Sequence, residues 1–514
     1  MPGRVARIAT AGSGRRPRRV LFRADASAEI GTGHVVRCLA LAAELESRGL
    51  EPWFATRREA GDMTDVVAAR GYRVVLVSGT PVDEVAAVLR AAPRDDRRRP
   101  FAALVMDHYG LGAEWLRAAR RLATTRFVID DPADRRLPCE VLVNSNLGAS
   151  PDNYAGLVQP ATRLLLGTRY ALLREAFLAA RSRGRRAAGA VQNVLVSMGG
   201  GDPFGATAKT VAAVRSALPA ATVDVVLGAL YAGEPAFGPG VRVHRAVDAE
   251  AMASLVASAD LAVGAGGTSS WERCALGRPA VIVRVAENQN ANATLLAAAG
   301  AAVDAGAAET LDTAVLAATV RELAGDVSRR EAMSLRAWEL VDGRGAERVA
   351  NHVDGVRVRR ATMADARLLW TWANDPVTRA VSLDPDPIPY PDHVEWLRAR
   401  LADRACLLLI GENGRGPVGQ VRFDAGEDGA VVSISVAPER RGTAGGLLLA
   451  SATRRFLARS PQTPLLAQVK TGNAASRAMF EHAGYRLVGD NDGVLLYRSS
   501  ASTRAAVAIG VVGR

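Results

Sequence analysis

The chain has 514 residues, which is too long for one ordinary hydrophobic core and predicts roughly two to four domains. Hydrophobic residues make up 49% and charged residues 23%, a composition typical of a globular protein and not of a disordered one. No apolar run is long enough to cross a bilayer, and residues 1–20 contain no stretch that resembles a secretory signal. We therefore expect a cytoplasmic protein with no membrane partner.

The net charge of +12 is unevenly distributed. Arginines in residues 1–20, 181–190 and 501–514 account for all of it, and these segments contain no acidic residue. This pattern favours basic tails and a solvated linker over a face that binds nucleic acid, so no nucleic-acid partner is predicted. The cysteines and histidines lack the paired spacings of a disulfide framework or a zinc site, and we predict no metal.

From about residue 19 to 350, apolar runs of strand length alternate with alanine- and leucine-rich helical stretches. The runs before residue 180 are 20–22, 52–54, 74–77, 104–106 and 127–129. The glycine- and charge-rich segment 181–190 interrupts the pattern, and a second series follows at 193–196, 223–227, 261–263 and 281–283. Such alternation is typical of doubly wound parallel sheets. We predict a disordered tail, 1–18, and two Rossmann-like domains, 19–180 and 191–355, that face each other across a cleft.

After residue 355 the order of elements changes. Strand-like runs occur at 356–359, 405–411, 417–423, 430–436 and 464–469, with helical patterns at 444–458 and 474–483. This mixed order predicts an α+β domain over 356–499, followed by a tail, 500–514. The predicted fold class of the whole chain is α/β, with the α+β domain last.

Three glycine-containing loops follow predicted strands and precede predicted helices. Their residues are Gly31, Gly33 and His34 in the first loop, Gly199 and Gly200 in the second, and Gly266, Gly267, Thr268 and Ser269 in the third. Glycines let the backbone approach a ligand and a helix N-terminus favours an anion, so these loops are predicted to bind a phosphorylated substrate. The first loop is not a dinucleotide fingerprint, because Val36 takes the third glycine position. The alternative is that the glycines serve only helix–strand packing and that the histidine only caps its helix.

Longer strings around these loops resemble a known family. They comprise residues 23–38, Asp107-His108-Tyr109, Ile129-Asp130-Asp131, 166–174, 197–202, 264–273 and 287–289. Over residues 19–345 the chain resembles the UDP-2,4-diacetamido-2,4,6-trideoxy-β-L-altropyranose hydrolases of pseudaminic acid biosynthesis, which are proteins of the GT-B type. The resemblance implies metal-independent hydrolysis of a UDP-linked diacetamido-trideoxy sugar to free sugar and UDP.

The same resemblance implies roles for individual residues. His34 would be the general base that orients a water molecule towards the anomeric carbon, a role that suits imidazole near neutral pH. Tyr109 and Asn288 would line the sugar site, although they could instead form a buried hydrogen-bonded pair. Either Glu272 or Glu287 would bind the ribose hydroxyls. The other implied substrate contacts are Arg23 and Gln289, together with the glycine loops. The adjacent carboxylates Asp130 and Asp131 are expected to bind backbone amides or an arginine.

The third domain resembles the GCN5-related N-acetyltransferases over residues 356–499. The resemblance rests on segments 436–447 and 469–485. Trp372, Asn374, Asp375, His393 and Trp396 match the branch that acetylates sugar-nucleotide amines or ribosomal protein ends. The resemblance implies acetyl-CoA as co-substrate, with its pyrophosphate at a glycine-rich helix N-terminus. The implied cofactor contacts are Val436, Arg441, Gly442, Thr443, Gly445, Gly446, Asn473 and Ser476.

The third domain departs from that family at two positions. Ala444 stands where the pyrophosphate loop usually has glycine. Phe480 stands where a tyrosine often protonates the departing thiolate, and a phenyl ring cannot donate a proton. Either Tyr485 or a water molecule would replace it, or the domain is slow or inactive.

Two alternatives to the hydrolase remain. A UDP-sugar glycosyltransferase of GT-B type would pass the sugar to an alcohol, but the first domain shows no apolar loop for an acceptor or a membrane. A non-catalytic protein that binds a nucleotide sugar and acetyl-CoA would be favoured by loss of His34, which is present. We therefore predict a UDP-sugar hydrolase whose C-terminal domain acetylates the UDP-4-amino-sugar precursor.

Overall fold

The computed structural model describes residues 18–27, 29–93, 99–186, 188–228, 231 and 237–499. These residues form three sheets with helices packed on their faces, and the predicted α/β class is confirmed. No helix in the described ranges is both long and apolar enough to span a bilayer. The predicted tails, 1–18 and 500–514, lie outside the described residues except for Arg18.

The first sheet has seven parallel strands in the order β3-β2-β1-β4-β5-β6-β7. The strands are β1 (Arg18–Ala24), β2 (Leu50–Thr56), β3 (Arg73–Leu76), β4 (Phe101–Asp107), β5 (Ala123–Ile129), β6 (Val141–Asn144) and β7 (Arg163–Leu166). The helices are α1 (Gly33–Glu46), α2 (Thr64–Ala69), α3 (Pro81–Ala91), α4 (Ala113–Ala118) and α5 (Glu175–Arg181). The strand order reverses between β1 and β4, so the loops after these strands meet at one edge, where open α/β sheets bind ligands.

The second sheet has six parallel strands in the order β10-β9-β8-β11-β12-β13. The strands are β8 (Asn193–Ser197), β9 (Thr222–Val226), β10 (Val241–His244), β11 (Leu261–Ala265), β12 (Ala280–Arg284) and β13 (Val303–Ala307). The helices are α6 (Ala206–Ala217), α7 (Ala249–Ser258), α8 (Ser269–Ala275), α9 (Asn290–Ala298), α10 (Thr313–Gly325), α11 (Val327–Leu340) and α12 (Gly345–Asp354). Here the order reverses between β8 and β11, which precede the second and third glycine loops.

The two Rossmann-like domains exchange a helix. Although α5 lies within the range predicted for the first domain, it packs on α7 and α8 of the second through Phe177. Conversely, α12 lies within the range predicted for the second domain but packs on α1 of the first through Val349 and Val353. The chain therefore crosses between the domains twice, once after β7 and once before α12.

Three of the four arginines of the predicted linker, Arg181, Arg185 and Arg186, contact the second domain. Arg181 donates a hydrogen bond of 2.7 Å to the carbonyl of Ala275 at the end of α8. Arg185 forms an ion pair with Glu331 of α11. Arg183 and Arg186 are exposed, so the predicted basic linker is partly solvated, and it also runs alongside carbonyl and carboxylate groups of the domain that follows it.

The third sheet has seven strands in the order β14-β15-β16-β17-β18-β20-β19. The strands are β14 (Arg357–Arg360), β15 (Cys406–Asn413), β16 (Gly416–Gly426), β17 (Gly429–Val436), β18 (Leu465–Lys470), β19 (Tyr485–Asn491) and β20 (Val494–Ser499). The helices are α13 (Ala366–Ala373), α14 (Pro376–Val381), α15 (Tyr390–Ala402), α16 (Gly445–Leu457) and α17 (Ala474–His482). β17 and β18 are parallel but pair only at Ala430–Leu465 and Val431–Leu466. Beyond these pairs the two strands separate, and a wedge opens between them.

Candidate active sites

His34 stands at the start of α1 and forms a hydrogen-bonded pair with Asp107. The distance from His34 Nδ1 to Asp107 Oδ1 is 2.6 Å, and Asp107 is fully buried at the end of β4. Parallel pairing sets Ala24 of β1 opposite Asp107, so the loop after β1 brings α1 over this carboxylate. With Nδ1–H donating to Asp107, the other ring nitrogen of His34 is the basic one. Among the described residues, His34 Nε2 has no hydrogen-bond partner.

Arg37 lies one turn further along α1 and joins two carboxylates. Its Nε and Nη2 atoms lie 2.5 and 2.7 Å from the oxygens of Asp107, and its Nη1 lies 2.7 Å from Asp131 Oδ2. Burial alone would raise the pKa of Asp107, but the charges of Arg37 and His34 and their hydrogen bonds lower it below its usual range. Asp107 is therefore ionised and can stabilise positive charge on the imidazole of His34.

Tyr109 and Asn288 complete the group predicted to be catalytic. The Tyr109 hydroxyl donates a hydrogen bond of 2.6 Å to Asp131, and its ring meets the edge of His34 at a centroid distance of 4.4 Å. Burial raises the pKa of Tyr109, and the charge of Asp131 raises it further, so the phenol stays protonated. Asn288 of the second domain reaches across the cleft, with Nδ2 3.5 Å from the Tyr109 oxygen. The structure thus brings His34, Tyr109 and Asn288 together.

The three glycine loops converge on this cleft. A Cβ atom placed on Gly200 would lie 2.9 Å from Oγ1 of Thr32, and one placed on Gly33 would lie 3.8 Å from Oγ1 of Thr268. The first loop therefore contacts both loops of the second domain. Because a contact under 3.0 Å is too close, a Cβ at position 200 would require the Thr32 side chain to shift, and glycine lets the loops approach without that shift.

Gln289 shapes the third glycine loop from the neighbouring segment. Its Oε1 atom accepts hydrogen bonds from the N–H groups of Gly266, at 2.9 Å, and Val285, at 3.1 Å. It follows Glu287 and Asn288 in a single turn of 3-10 helix, in which both residues are exposed. The side-chain oxygen of Gln289 therefore serves the loop, and only its amide nitrogen remains for the predicted substrate contact.

The two glutamates predicted to bind ribose differ in their surroundings. Glu272 is largely buried and its Oε1 lies 2.7 Å from Arg174. Glu287 is exposed beside the cleft. Next to Glu272, Arg273 donates at 3.3 Å to the hydroxyl of Ser269, which orients the first residue of α8.

Arg23, a predicted substrate contact, lies away from the cleft. Its side chain is fully buried and donates to both carboxylate oxygens of Glu84, at 3.0 Å each, and to Asp25, at 2.6 Å. Arg23 belongs to β1 and Glu84 to α3, so this ion-pair cluster is buried between that strand and that helix. The position of Arg23 does not favour direct contact with a substrate.

In the third domain, the loop between β17 and α16 stands at the mouth of the wedge. A Cβ on Gly445 would lie 3.2 Å from Val436 and 3.3 Å from the sulfur of Met479, so this position is tightly packed. A Cβ on Gly446 would meet no atom within 4 Å, which leaves open space at the start of α16. A ligand can therefore approach the helix N-terminus at Gly446.

The side chains of the loop already have protein partners. Arg441 forms an ion pair with Asp375 and donates a hydrogen bond of 2.8 Å to the Thr378 hydroxyl. The Thr443 hydroxyl donates to Glu347 at 3.1 Å. The main-chain N–H groups of Arg441 and Thr443 donate to the carbonyls of Pro438 and Arg440, at 3.5 and 3.3 Å, so among these three positions the N–H of Gly442 remains for the predicted cofactor contact.

The predicted residues of α17 serve the helix itself. Asn473 caps the helix by accepting a hydrogen bond of 3.1 Å from the N–H of Ser476. Phe480 is buried, and Tyr485 packs against it at a centroid distance of 5.1 Å. Burial raises the pKa of Tyr485. The ring of Phe480 carries no proton donor, and the side chain of Tyr485 is buried beside it.

Sequence reasoning assigned no role to Arg37 or Asp107, and expected of Asp131 only that it bind a backbone amide or an arginine, which its contact with Arg37 confirms. Two features of the sequence could have indicated these residues. Arg37 follows His34 by three residues on one helix, and the two aspartates stand at or just after the ends of neighbouring strands. Within the described ranges, no group of three or more His, Cys, Asp or Glu side chains is placed to hold a metal ion.

The fold and the two sites define a class of protein, in which a pair of Rossmann-like domains in the GT-B arrangement precedes an N-acetyltransferase domain. Residues 356–486 match the acetyltransferase (GNAT) domain family. Residues 244–351 match the glycosyltransferase family 28 C-terminal domain. The first match indicates acetyl-CoA as a co-substrate, and the second indicates a nucleotide sugar.

Three individual proteins are similar to parts of this chain. UDP-2,4-diacetamido-2,4,6-trideoxy-beta-L-altropyranose hydrolase of Campylobacter jejuni subsp. jejuni serotype O:2 is 28% identical over 159 residues, which span 31% of this chain and 53% of the relative. An uncharacterised protein of Methanocaldococcus jannaschii is 20% identical over 444 residues, covering 79% of this chain and 85% of that protein. The crystal structure of MurG from Acinetobacter baumannii shares 18% identity, covers 66% of this chain and 99% of that one, and has a TM-score of 0.45.

These findings confirm both resemblances that the motifs indicated. The chain fuses a region related to the named hydrolase, with a second domain of glycosyltransferase family 28 type, to a GNAT domain. The chain spans only about half the length of that hydrolase.

Proposed function

We propose that the first two domains hydrolyse a UDP-linked diacetamido-trideoxy sugar in nonulosonic acid biosynthesis of the pseudaminic type. The observation that carries this proposal is the His34–Asp107 pair at 2.6 Å beside the cleft. His34 Nε2 takes a proton from water while the water oxygen bonds to the anomeric carbon. The bond from that carbon to the diphosphate oxygen breaks, and UDP leaves with the electron pair. Because the diphosphate is a good leaving group, the pair of carboxyl groups used by ordinary glycosidases is not needed.

The remaining residues of the cleft hold the substrate. The ring of Tyr109 packs against His34, and Asn288 of the second domain meets the Tyr109 hydroxyl, so these two residues position the sugar. The loops at 199–200 and 266–269 supply N–H groups and hydroxyls to the diphosphate. Of the two candidate glutamates, exposed Glu287 is the better placed for ribose, since Glu272 already binds Arg174.

The test is UDP release from candidate UDP-diacetamido sugars. His34→Ala is expected to lower kcat by on the order of 10²–10⁴-fold and to leave UDP affinity unchanged, because the phosphate contacts lie on other loops. His482→Ala, at an exposed position on α17, is the matched control. Turnover by His34→Ala close to that of the unmodified enzyme would rule out its role as the base.

A transferase is the second candidate, and the family 28 match over residues 244–351 favours it. Such an enzyme would pass the sugar to an alcohol instead of water. Assays without any alcohol acceptor separate the two. Hydrolysis gives UDP and free sugar stoichiometrically, whereas a transferase would release UDP only when an acceptor is added.

We further propose that the third domain acetylates the 4-amino group of the UDP-sugar precursor. The open wedge beside Val436 and the GNAT match support this. The amine attacks the thioester carbonyl, a C–N bond forms, the C–S bond breaks, and the departing thiolate of coenzyme A takes a proton. Since Phe480 cannot donate, a water molecule supplies that proton and takes up the proton that the amine loses as the amide forms. The product is then the substrate of the hydrolase, and both reactions fit the predicted cytoplasmic location.

Supplying the UDP-4-amino sugar with and without acetyl-CoA tests the coupled reactions. Acetylated free sugar and UDP should form only when acetyl-CoA is present. Acetylation of protein amino termini, with the sugar left unmodified, would contradict the proposed acceptor.

A further inference from the structure

The loop that leads into α16 is held by an arginine from outside its own domain. Arg344, at the start of α12, donates from Nη1 to the carbonyl of Arg441 at 2.8 Å and from Nη2 to the carbonyl of Glu439 at 2.6 Å. The side chain of Arg344 also binds Glu347 of its own helix at 2.7 Å, so its charge is balanced. Arg344 therefore acts on the loop through the direction of its hydrogen bonds and not through a free positive charge.

Two further residues of α12 bind the same loop. Arg348 Nε donates to the carbonyl of Gly442 at 2.9 Å, and Asn351 Nδ2 donates to the carbonyl of Thr443 at 3.1 Å. We call Arg344, Arg348 and Asn351 the α12 clamp. Together they direct a series of loop carbonyls towards α12.

The α12 clamp is itself fixed to the first domain. Arg48, just after α1, donates from Nη1 to Oδ1 of Asn351 at 2.7 Å and from Nη2 to the carbonyl of Glu347 at 3.2 Å. The apolar face of α12 lies in the core of the first domain through Val349 and Val353. The loop of the third domain is thus tied to the helix that carries His34.

The bonded carbonyls determine where the N–H groups point. In a trans peptide unit the C=O and the N–H lie on opposite sides. Holding the carbonyl of Arg441 towards α12 therefore turns the N–H of Gly442 away from it, and holding that of Thr443 does the same for Ala444. Among the described residues, the N–H groups of Gly442 and Gly446 have no acceptor, so they are available to an anion.

We propose that the α12 clamp is a set of positioning residues for acetyl-CoA, and that the third domain binds acetyl-CoA well only while it is docked on the first two domains. The inference rests on the proposed acetyltransferase function. According to this proposal, fusing the domains does more than bring the two active sites close together. The helix α12 also determines the conformation of the loop that binds acetyl-CoA in the third domain.

The test uses the full chain and titrates coenzyme A by calorimetry. Arg344→Met removes both loop contacts and is expected to weaken coenzyme A binding about tenfold, because the loop must then be ordered by the ligand. Arg344→Lys is expected to weaken it as well, since an ammonium group cannot reproduce the two-pronged geometry. Arg336→Met is the matched control, because the Arg336 side chain is 64% exposed and, among the described residues, forms an ion pair only with Glu339.

Two readouts distinguish positioning from a general loss of stability. The KM for acetyl-CoA should rise in Arg344→Met while kcat at saturation stays unchanged. Hydrogen exchange should become faster in residues 438–447 and stay unchanged in β15 and β16, whereas global destabilisation would affect all of these segments. If both Arg344 variants bind coenzyme A as tightly as the unmodified chain, the proposal for the α12 clamp is wrong, and the acetyltransferase proposal is unaffected. Absence of binding by the unmodified chain would overturn the acetyltransferase proposal as well.

Discussion

Replacing Asp107 with asparagine removes one negative charge from a fully buried position and keeps the shape of the side chain. Three hydrogen bonds from His34 and Arg37 end on this carboxylate, at 2.6, 2.5 and 2.7 Å. Removing one partner of a buried ion pair costs about 3–5 kcal/mol. Because Arg37 keeps its contact with Asp131, we expect the lower end of that range, about 3 kcal/mol, in the free energy of unfolding.

The same substitution should impair hydrolysis more than it impairs folding. An asparagine can present its NH₂ group to His34 Nδ1 and so favour the tautomer whose Nε2 carries the proton, which is the wrong form for a base. We expect kcat to fall by on the order of 10²–10⁴-fold with little change in UDP affinity. Urea unfolding and UDP release are the two assays. Asp428→Asn, at an exposed position between β16 and β17, is the matched control.

The pH dependence of unfolding gives a further check on Asp107. Its pKa is lowered in the folded protein, so its stabilising contribution is complete above the pKa of an unfolded aspartate, about 3.9, and is lost as the pH falls towards the folded value. The difference in unfolding free energy between the unmodified protein and Asp107→Asn should therefore shrink below about pH 4. A kcat within threefold of the unmodified enzyme, or a stability difference that does not depend on pH in that range, would refute the reasoning.

Three other substitutions test separate parts of the sites. Ser269→Asp sets a carboxylate against the diphosphate and should weaken UDP binding sharply in calorimetry, whereas Ser216→Asp, on the exposed side of α6, should not. Gly200→Ala brings a methyl group within 2.9 Å of the Thr32 side chain. It should lower kcat/KM by the equivalent of about 1–3 kcal/mol in activation free energy. Gly201→Ala, where a Cβ meets no atom within 4 Å, is its control, and equal effects of the two would show that the loops do not close on each other. Phe480→Tyr adds the missing hydroxyl and should raise kcat for acetyl transfer about tenfold, and an unchanged kcat would mean that protonation of the thiolate does not limit the rate.

The central strands could be predicted from the sequence, but several peripheral ones could not. β4 is a continuous apolar run buried on both faces, which makes it easy to recognise. The missed β10 lies at the edge of the second sheet, where Arg242 and His244 interrupt the apolar pattern. The missed β6 and β7 are only four residues long. A strand with one neighbour, such as β10, needs little hydrophobicity and leaves a weak signal, whereas β6 is apolar and buried but too short to stand out.

The glycine loops and His34 could likewise be predicted, because motifs within short segments carry them. The partners of His34 could not, since Asp107 is 73 residues away and becomes its neighbour only through the pairing of β1 with β4. The α12 clamp could not be predicted either, because Arg344 and Arg441 are far apart in the sequence and meet only through the packing of the domains. Amphipathic periodicity indicates that a helix buries one face, but not which core receives it, and this is why the exchange of α5 and α12 was missed.

The helix exchange also determines how the cleft can open. The two crossings lie side by side, since Thr168 Oγ1 donates to the carbonyl of Leu340 at 2.5 Å. Each contains a glycine in the left-handed region, Gly167 with φ 92° and Gly343 with φ 78°. Two adjacent chain connections favour rotation of the domains about a single axis over other relative motions. Such a rotation would change the distance between Asn288 and Tyr109, whose contact spans the cleft.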